Sequence, residues 1–255
     1  MSIPDNEQLL AVAEEAARAA GSVLLARREE AGGAVGTKST PTDPVTEADI
    51  AGEEAIREVI GRHRPDDTVI GEEGGEEEGS SGLRWLVDPL DGTVNYIYGN
   101  PLWCSSVACE GRAGVVYDPG AGECFTAAAG GRPELNGVSV APTMVERLDR
   151  CLLATGFGYD AEVRRGQAAT VARLLPLVRD IRRGGSAALD LAWLAAGRCD
   201  AYFERGVKEW DVAAGRVICE AAGLEVRELE PAGDRPWGIM ACAPGLADEL
   251  EPLLA

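Results

Sequence analysis

Apolar positions along residues 7–28 recur at Leu9, Ala13, Ala16, Ala20 and Leu24. Steps of three and four residues predict a long amphipathic helix. A second helical period covers 47–63, burying Ile56, Val59 and Ile60, and it opens on Thr46-Glu47-Ala48-Asp49, a capping-box-like start. Between the two, AGGAVGTKSTPTDP is too rich in Gly and Pro to be helical throughout. Thr68-Val69-Ile70 reads as a short buried strand, and Trp85-Leu86-Val87 as another that stops at Asp88, where Pro89 forces a turn. Residues 104–110, 113–117 and 122–128 read as antiparallel strands joined by Gly turns, with a further turn at Asn136-Gly137. The second half alternates: a strand at 151–155, helices near 162–179 and 186–197, a strand at 200–204, a helix at 210–222, then a terminal strand and helix. A sheet-rich middle flanked by helices, followed by alternation, predicts a layered α/β or α+β fold.

Composition narrows the chemistry. With 255 residues, 24 Lys plus Arg and 43 Asp plus Glu, the formal charge is −19. Such a chain repels nucleic acid and anionic lipid, so neither is an expected partner, and an anionic substrate needs a local source of positive charge. No apolar run approaches the roughly 18 residues of a membrane span, and the N-terminus has no signal-peptide pattern. The expected location is the cytoplasm. Seven cysteines without C-x-x-C spacing read as buried reduced thiols. The single histidine, His63, at a helix end, excludes any mechanism needing two. Carboxylates are left to carry catalysis. The segment 72–82 holds five Glu, four Gly and two Ser, which predicts a mobile acidic loop.

The informative segment is 85–101, WLVDPLDGTVNYIYGNP. Asp88 at a strand end and Asp91 three residues on are two carboxylates at one sheet edge, and these repel unless a cation lies between them. Mg²⁺ suits such oxygen ligands, and Gly92-Thr93 opens a new element whose free amides suit a phosphate. Alone, D-x-x-D-G-T is also what an Asp-rich turn looks like. Its company changes the picture: Glu72 ends another strand, and Asp49 and Asp211 stand at helix starts. Asp49 and Asp211 could equally complement helix dipoles, and Glu72 could be one more charge of a solvated loop.

These blocks, with Gly71-Glu72-Glu73, Thr42 to Asp49 and Trp210-Asp211-Val212-Ala213-Ala214-Gly215, resemble the signatures of the inositol monophosphatase family, in family order across residues 38–223. The resemblance implies a Mg²⁺-dependent phosphomonoesterase of layered α-β-α-β-α type, a homodimer often inhibited by Li⁺, with two or three metals per site. It assigns Glu72, Asp88, Asp91, Asp211 and the Leu90 carbonyl to metal. Asp49 with Thr93 and Glu72 would orient the attacking water, Gly92 and Thr93 would bind phosphate, and Lys38 would lie in a mobile loop beside the site. Asp91 and Asp211 would also reach the substrate. Gly185, Ser186, Ala187 and Glu204 would meet inositol hydroxyls, since IRRGGSA and YFERG look more like inositol phosphatases than histidinol-phosphate phosphatases.

The resemblance further implies one catalytic unit over 1–255, with a metal- and phosphate-binding lobe at 1–145 and a substrate-facing lobe at 146–255. Histidinol phosphate, fructose 1,6-bisphosphate or a 3′-phosphonucleotide are alternative substrates within the superfamily. A regulatory partner of the transcription machinery is an alternative of another class. Trp193, Trp210 and Trp237 read as core, Arg164-Arg165 as solvated, and Arg182-Arg183 either as a phosphate contact or as ion pairs.

Overall fold

The computed structural model describes residues 5–29, 35–37, 44–233 and 235–254. In the first half the elements are α1 (Asn6–Glu29), β1 (Val35–Thr37), β2 (Pro44–Thr46), α2 (Glu47–His63), β3 (Thr68–Gly71), β4 (Gly75–Glu77), β5 (Arg84–Asp91), α3 (Thr93–Ile97), β6 (Cys104–Cys109), β7 (Ala113–Asp118), β8 (Glu123–Ala128), β9 (Glu134–Leu135) and β10 (Val138–Ser139). The second half adds β11 (Leu152–Thr155), α4 (Ala161–Leu174), β12 (Asp180–Arg182), α5 (Ala187–Ala195), β13 (Ala201–Arg205), α6 (Glu209–Ala221), β14 (Glu225–Leu229), β15 (Gly238–Cys242) and α7 (Pro244–Leu250).

Eight strands form one sheet in the order β10-β9-β8-β7-β6-β5-β3-β4, and five form another in the order β12-β11-β13-β15-β14. Period-two burial sets the layers. Val107 and Val115 meet Leu9, Ala13 and Ala16 of α1 and Ile56 and Ile60 of α2. On the opposite face Ala108 and Val116 meet Leu191 of α5 and Ile218 of α6, and Tyr202 and Ile239 of the second sheet close that core from beyond. The far side of the second sheet, through Leu153, Phe203 and Met240, packs on Leu174 of α4 and Leu246 of α7. The layers therefore run α-β-α-β-α, as expected.

The structure corrects three segments. The acidic segment 72–82 contains an edge strand, β4, paired antiparallel with β3. The helix expected at 162–179 ends at Leu174, and an edge strand, β12, follows it, parallel to β11. The single terminal strand is in fact two, β14 and β15, paired antiparallel. All seven cysteines are free and buried. Trp193, Trp210 and Trp237 are half-buried at the rims, whereas Trp85 and Trp103 fill the core.

Candidate active site

Strands β3 and β5 are parallel, with Gly71 opposite Val87. Their carboxyl ends therefore bring Glu72 beside Asp88. The strand expected to stop at Asp88 continues to Asp91 without a sharp turn, pairing Asp88 with Ser106 and Asp91 with Cys104. Three steps on β5 oppose two on β6, which makes a bulge. Pro89 lies inside it, where its missing N–H breaks no ladder bond. Ser105 donates its hydroxyl to the Pro89 carbonyl at 2.8 Å, and the Leu90 amide donates to Asp88 Oδ1 at 2.9 Å. The bulge re-aims the strand, so Asp88 is 2% exposed while Asp91, at the edge, is partly buried.

Gly92 follows in a left-handed conformation, φ 96°, and a Cβ there would lie 2.8 Å from the Leu102 carbonyl oxygen. Only glycine makes this reversal without strain. It starts α3, whose first residue, Thr93, has its hydroxyl 3.0 Å from both Asp49 Oδ1 and the Leu90 carbonyl. Asp49 is fully buried, and its Oδ2 accepts the Thr46 amide at 2.8 Å and the Thr46 hydroxyl at 2.5 Å. The expected capping box is present, and the same carboxylate that closes it reaches Thr93.

From the second half, Ser186 donates its hydroxyl to Asp91 Oδ2 at 2.6 Å, and the Ala188 amide donates to the same oxygen at 2.7 Å. Ser186 is also the N-cap of α5. Asp211 stands at the third position of α6 and accepts the Lys208 amide at 2.8 Å. Burial raises Asp91 to about 6, against the pull of the Ser186 and Ala188 bonds and the charge of Arg183. Burial, then the charges of Asp91, Glu72 and Glu204, push Asp211 well above the usual aspartate range. Glu204 is raised to about 7, by burial first, while the Tyr202 hydroxyl at 3.0 Å and Arg183 act the other way. Three sheet or helix ends thus turn carboxylates towards one another.

Among the described residues, no three of His, Cys, Asp or Glu form a ready cage for a metal ion. The donor set nevertheless fits a hard divalent cation: Glu72, Asp88, Asp91, Asp211 and the Leu90 carbonyl offer oxygen only, and mutual charge raises Asp211. Lys38 lies outside the described residues. Gly185, Ser186 and Ala187 line the turn into α5, though the Ser186 hydroxyl is directed at Asp91.

Arg183, left open between a phosphate contact and an ion pair, and Asp190, not expected at all, complete this neighbourhood. Arg183, exposed, stands 5.9 Å over the Phe157 ring, and its charge favours the ionised forms of Asp91, Asp190 and Glu204. It is a local cation of the kind an anionic substrate needs in so acidic a chain. Its neighbour Arg182 pairs with Asp180 at 2.6 Å. Asp190 is 2% exposed, and its Oδ2 has no hydrogen-bond partner. An apolar helix face gave no signal for it. His63 is exposed and contacts Glu15 at 2.9 Å.

The model of the inositol monophosphatase family matches residues 5–251. An inositol-1-monophosphatase of Mycobacterium bovis is 43% identical over 98% of this chain and 95% of its own. A protein named Nus factor SuhB from Pasteurella multocida is 43% identical over 84% of this chain and 83% of its own. The crystal structure of the extragenic suppressor protein suhB from Bartonella henselae superposes with a TM-score of 0.89 at 32% identity, covering 97% of this chain and 98% of that one. Fold and matches together define a phosphoric monoester hydrolase. The chain belongs to the inositol monophosphatase family, whose members depend on metal.

Proposed function

We propose that the chain hydrolyses an inositol monophosphate to inositol and phosphate with Mg²⁺, two or three ions per site, held by Glu72, Asp88, Asp91, Asp211 and the Leu90 carbonyl. The observation that carries this reading is the gathering of Asp91, Glu72 and Asp211: burial, then the charges of Asp91 and Glu72, push Asp211 well above its ordinary range. A bound divalent cation would supply the Lewis acidity that lowers the pKa of water and offsets charge on the departing oxygen. Thr93 gives its proton towards Asp49, so its hydroxyl oxygen is left as an acceptor that orients the attacking water. Glu72 takes part in the same orientation. The amides of Gly92 and Thr93 bind the phosphate and meet the charge that grows on its oxygens. Water attacks in line: the new P–O bond forms as the ester P–O bond breaks, and the leaving oxygen ends protonated as inositol.

Glu204 accepts a substrate hydroxyl, and Gly185, Ser186 and Ala187 line the same subsite. Asp91 and Asp211 reach the substrate too. The Ser186–Asp91 bond supports one catalytic unit in which 1–145 carries metal and phosphate and 146–255 faces the substrate. We further infer a cytoplasmic homodimer sensitive to Li⁺; no helix among the described residues is long and apolar enough to cross a membrane.

Phosphate release from myo-inositol 1-phosphate that requires Mg²⁺ and falls with Li⁺ is the expected result. Faster release from histidinol phosphate, fructose 1,6-bisphosphate or a 3′-phosphonucleotide would move the substrate within the superfamily. No release from any of them would end the enzymatic reading. The relative named Nus factor SuhB supports a second reading, in which the chain also binds transcription machinery. Capture of transcription proteins by an Asp91→Asn variant, with no phosphatase activity in the parent, would favour it.

A further inference from the structure

Glu53 lies one helical turn after Asp49 on α2 and is 2% exposed. Its carboxylate faces the turn that carries Glu72. Oε2 accepts the Glu73 amide at 2.7 Å, and Oε1 accepts the Gly74 amide at 2.8 Å. Arg57, one turn further along α2, donates Nε to Glu53 Oε1 at 2.8 Å and Nη2 to the Gly75 carbonyl at 2.6 Å. The turn is moulded on this carboxylate. A Cβ at Gly74 would stand 2.7 Å from Oε1, and one at Gly71 would overlap the carboxylate. A short connection between β3 and β4 closes without help from a buried charge, and burying a charge is unfavourable unless it is fully paired. The two successive amides that Glu53 holds belong to the residues immediately after Glu72, so they fix the peptide plane that leaves Glu72 and the one that follows it.

We propose that Glu53 is a positioning residue: by clamping the Glu73 and Gly74 amides it sets the direction in which Glu72 presents its carboxylate to the metal. One helix then serves the site twice, with Asp49 acting on Thr93 and Glu53 acting through Glu72. The proposal rests on the reading of Glu72 as a metal ligand.

The test is calorimetric titration of Mg²⁺ into parent and variants, with thermal melting alongside. Glu53→Gln keeps the size of the side chain but turns an NH₂ group towards one of the two amides. Its Mg²⁺ Kd is expected to rise by about tenfold or more, the range seen when groups that orient metal ligands are changed. KM for the ester at saturating Mg²⁺ is expected to stay at the parent value. Gly74→Ala displaces the carboxylate without removing its charge and is expected to weaken Mg²⁺ in the same direction. Glu77→Gln, which breaks only the outer Arg57–Glu77 contact at 3.5 Å, is expected to bind Mg²⁺ as the parent does. If Glu53→Gln does not fold, Gly74→Ala decides. Parent-like Mg²⁺ binding in whichever of these two folds overturns the proposal. A parent protein that takes up no Mg²⁺ overturns the reading of Glu72 itself, a separate result.

Discussion

Asp91 and Ser186 are 95 residues apart in the chain, yet the Ser186 hydroxyl donates to Asp91 Oδ2 at 2.6 Å. The Ala188 amide donates to the same oxygen at 2.7 Å, and the Gly92 backbone also bonds the carboxylate. In Asp91→Asn the amide oxygen can keep both bonds while the NH₂ faces where a cation would sit. The variant is expected to melt as the parent does, to bind no Mg²⁺ by calorimetry and to lose nearly all phosphate release. Normal turnover would remove Asp91 from the metal set.

Thr93 and Asp49 separate catalysis from stability. Thr93→Val removes the hydroxyl at constant size and is expected to lower kcat by about 10²–10⁴, as loss of a proton-handling group does, with KM little changed. Asp49→Asn is expected to lose the same activity and also about 1 kcal/mol of stability, because Asp49 closes the α2 capping box. Denaturant melts beside steady-state kinetics check both. Equal stability losses in the two variants would contradict the cap argument.

Asp67 gives a pH dependence away from the site. Burial pushes its pKa up, but bonds from Arg64, Ser81 and Trp85 outweigh it and hold the carboxyl below the ordinary 3.8. Arg64 Nε and Trp85 Nε1 lie 2.8 and 2.9 Å from Asp67 Oδ2. A pKa depressed on folding contributes stability that is fully present above the unfolded value and is lost as pH falls through the folded one. Asp67→Asn is expected to destabilise by about 2 kcal/mol near neutral pH, the scale of hydrogen bonds to a charged group. Urea melts should show that deficit shrinking in acid below the usual aspartate range. A deficit independent of pH would sink the argument.

Gly114 sets the spacing between β7 and α6. A Cβ there would lie 2.5 Å from the Ala214 carbonyl oxygen and 3.0 Å from its Cα. Backbone gives way less easily than a side chain tip, so Gly114→Ala is expected to cost about 1–3 kcal/mol, as overpacking does. The melting temperature should fall. Because Asp211 begins α6, Mg²⁺ affinity is expected to weaken in the same variant, and an unchanged melt would show that the layers can separate freely.

Much of this was legible in the sequence because it is local. Leu9, Ala13 and Ala16 recur at helical spacing and are buried where the period puts them. Asn136-Gly137 names its turn, with φ values of 51° and 75° that favour these residue types. Strands β4 and β12 left no trace for the opposite reason. Gly75–Glu77 is wholly exposed, and Asp180–Arg182 nearly so, so neither alternates apolar with polar.

The sequence by itself determined which side chains could do chemistry and that Glu72, Asp91, Asp49 and Asp211 stand at strand ends or helix starts, while it ended β5 three residues early, at Asp88. Side-chain type and local period are properties of short stretches of chain, and no partner is needed to read them. Tertiary structure alone decided the bulge that lets β5 carry Pro89, the turning of Ser186 onto Asp91, the arrival of Arg183 beside the acids and the grip of Glu53 on the turn after Glu72. Each depends on register or contact between segments far apart in the chain, and the pattern of one segment holds no record of the partner against which it will pack.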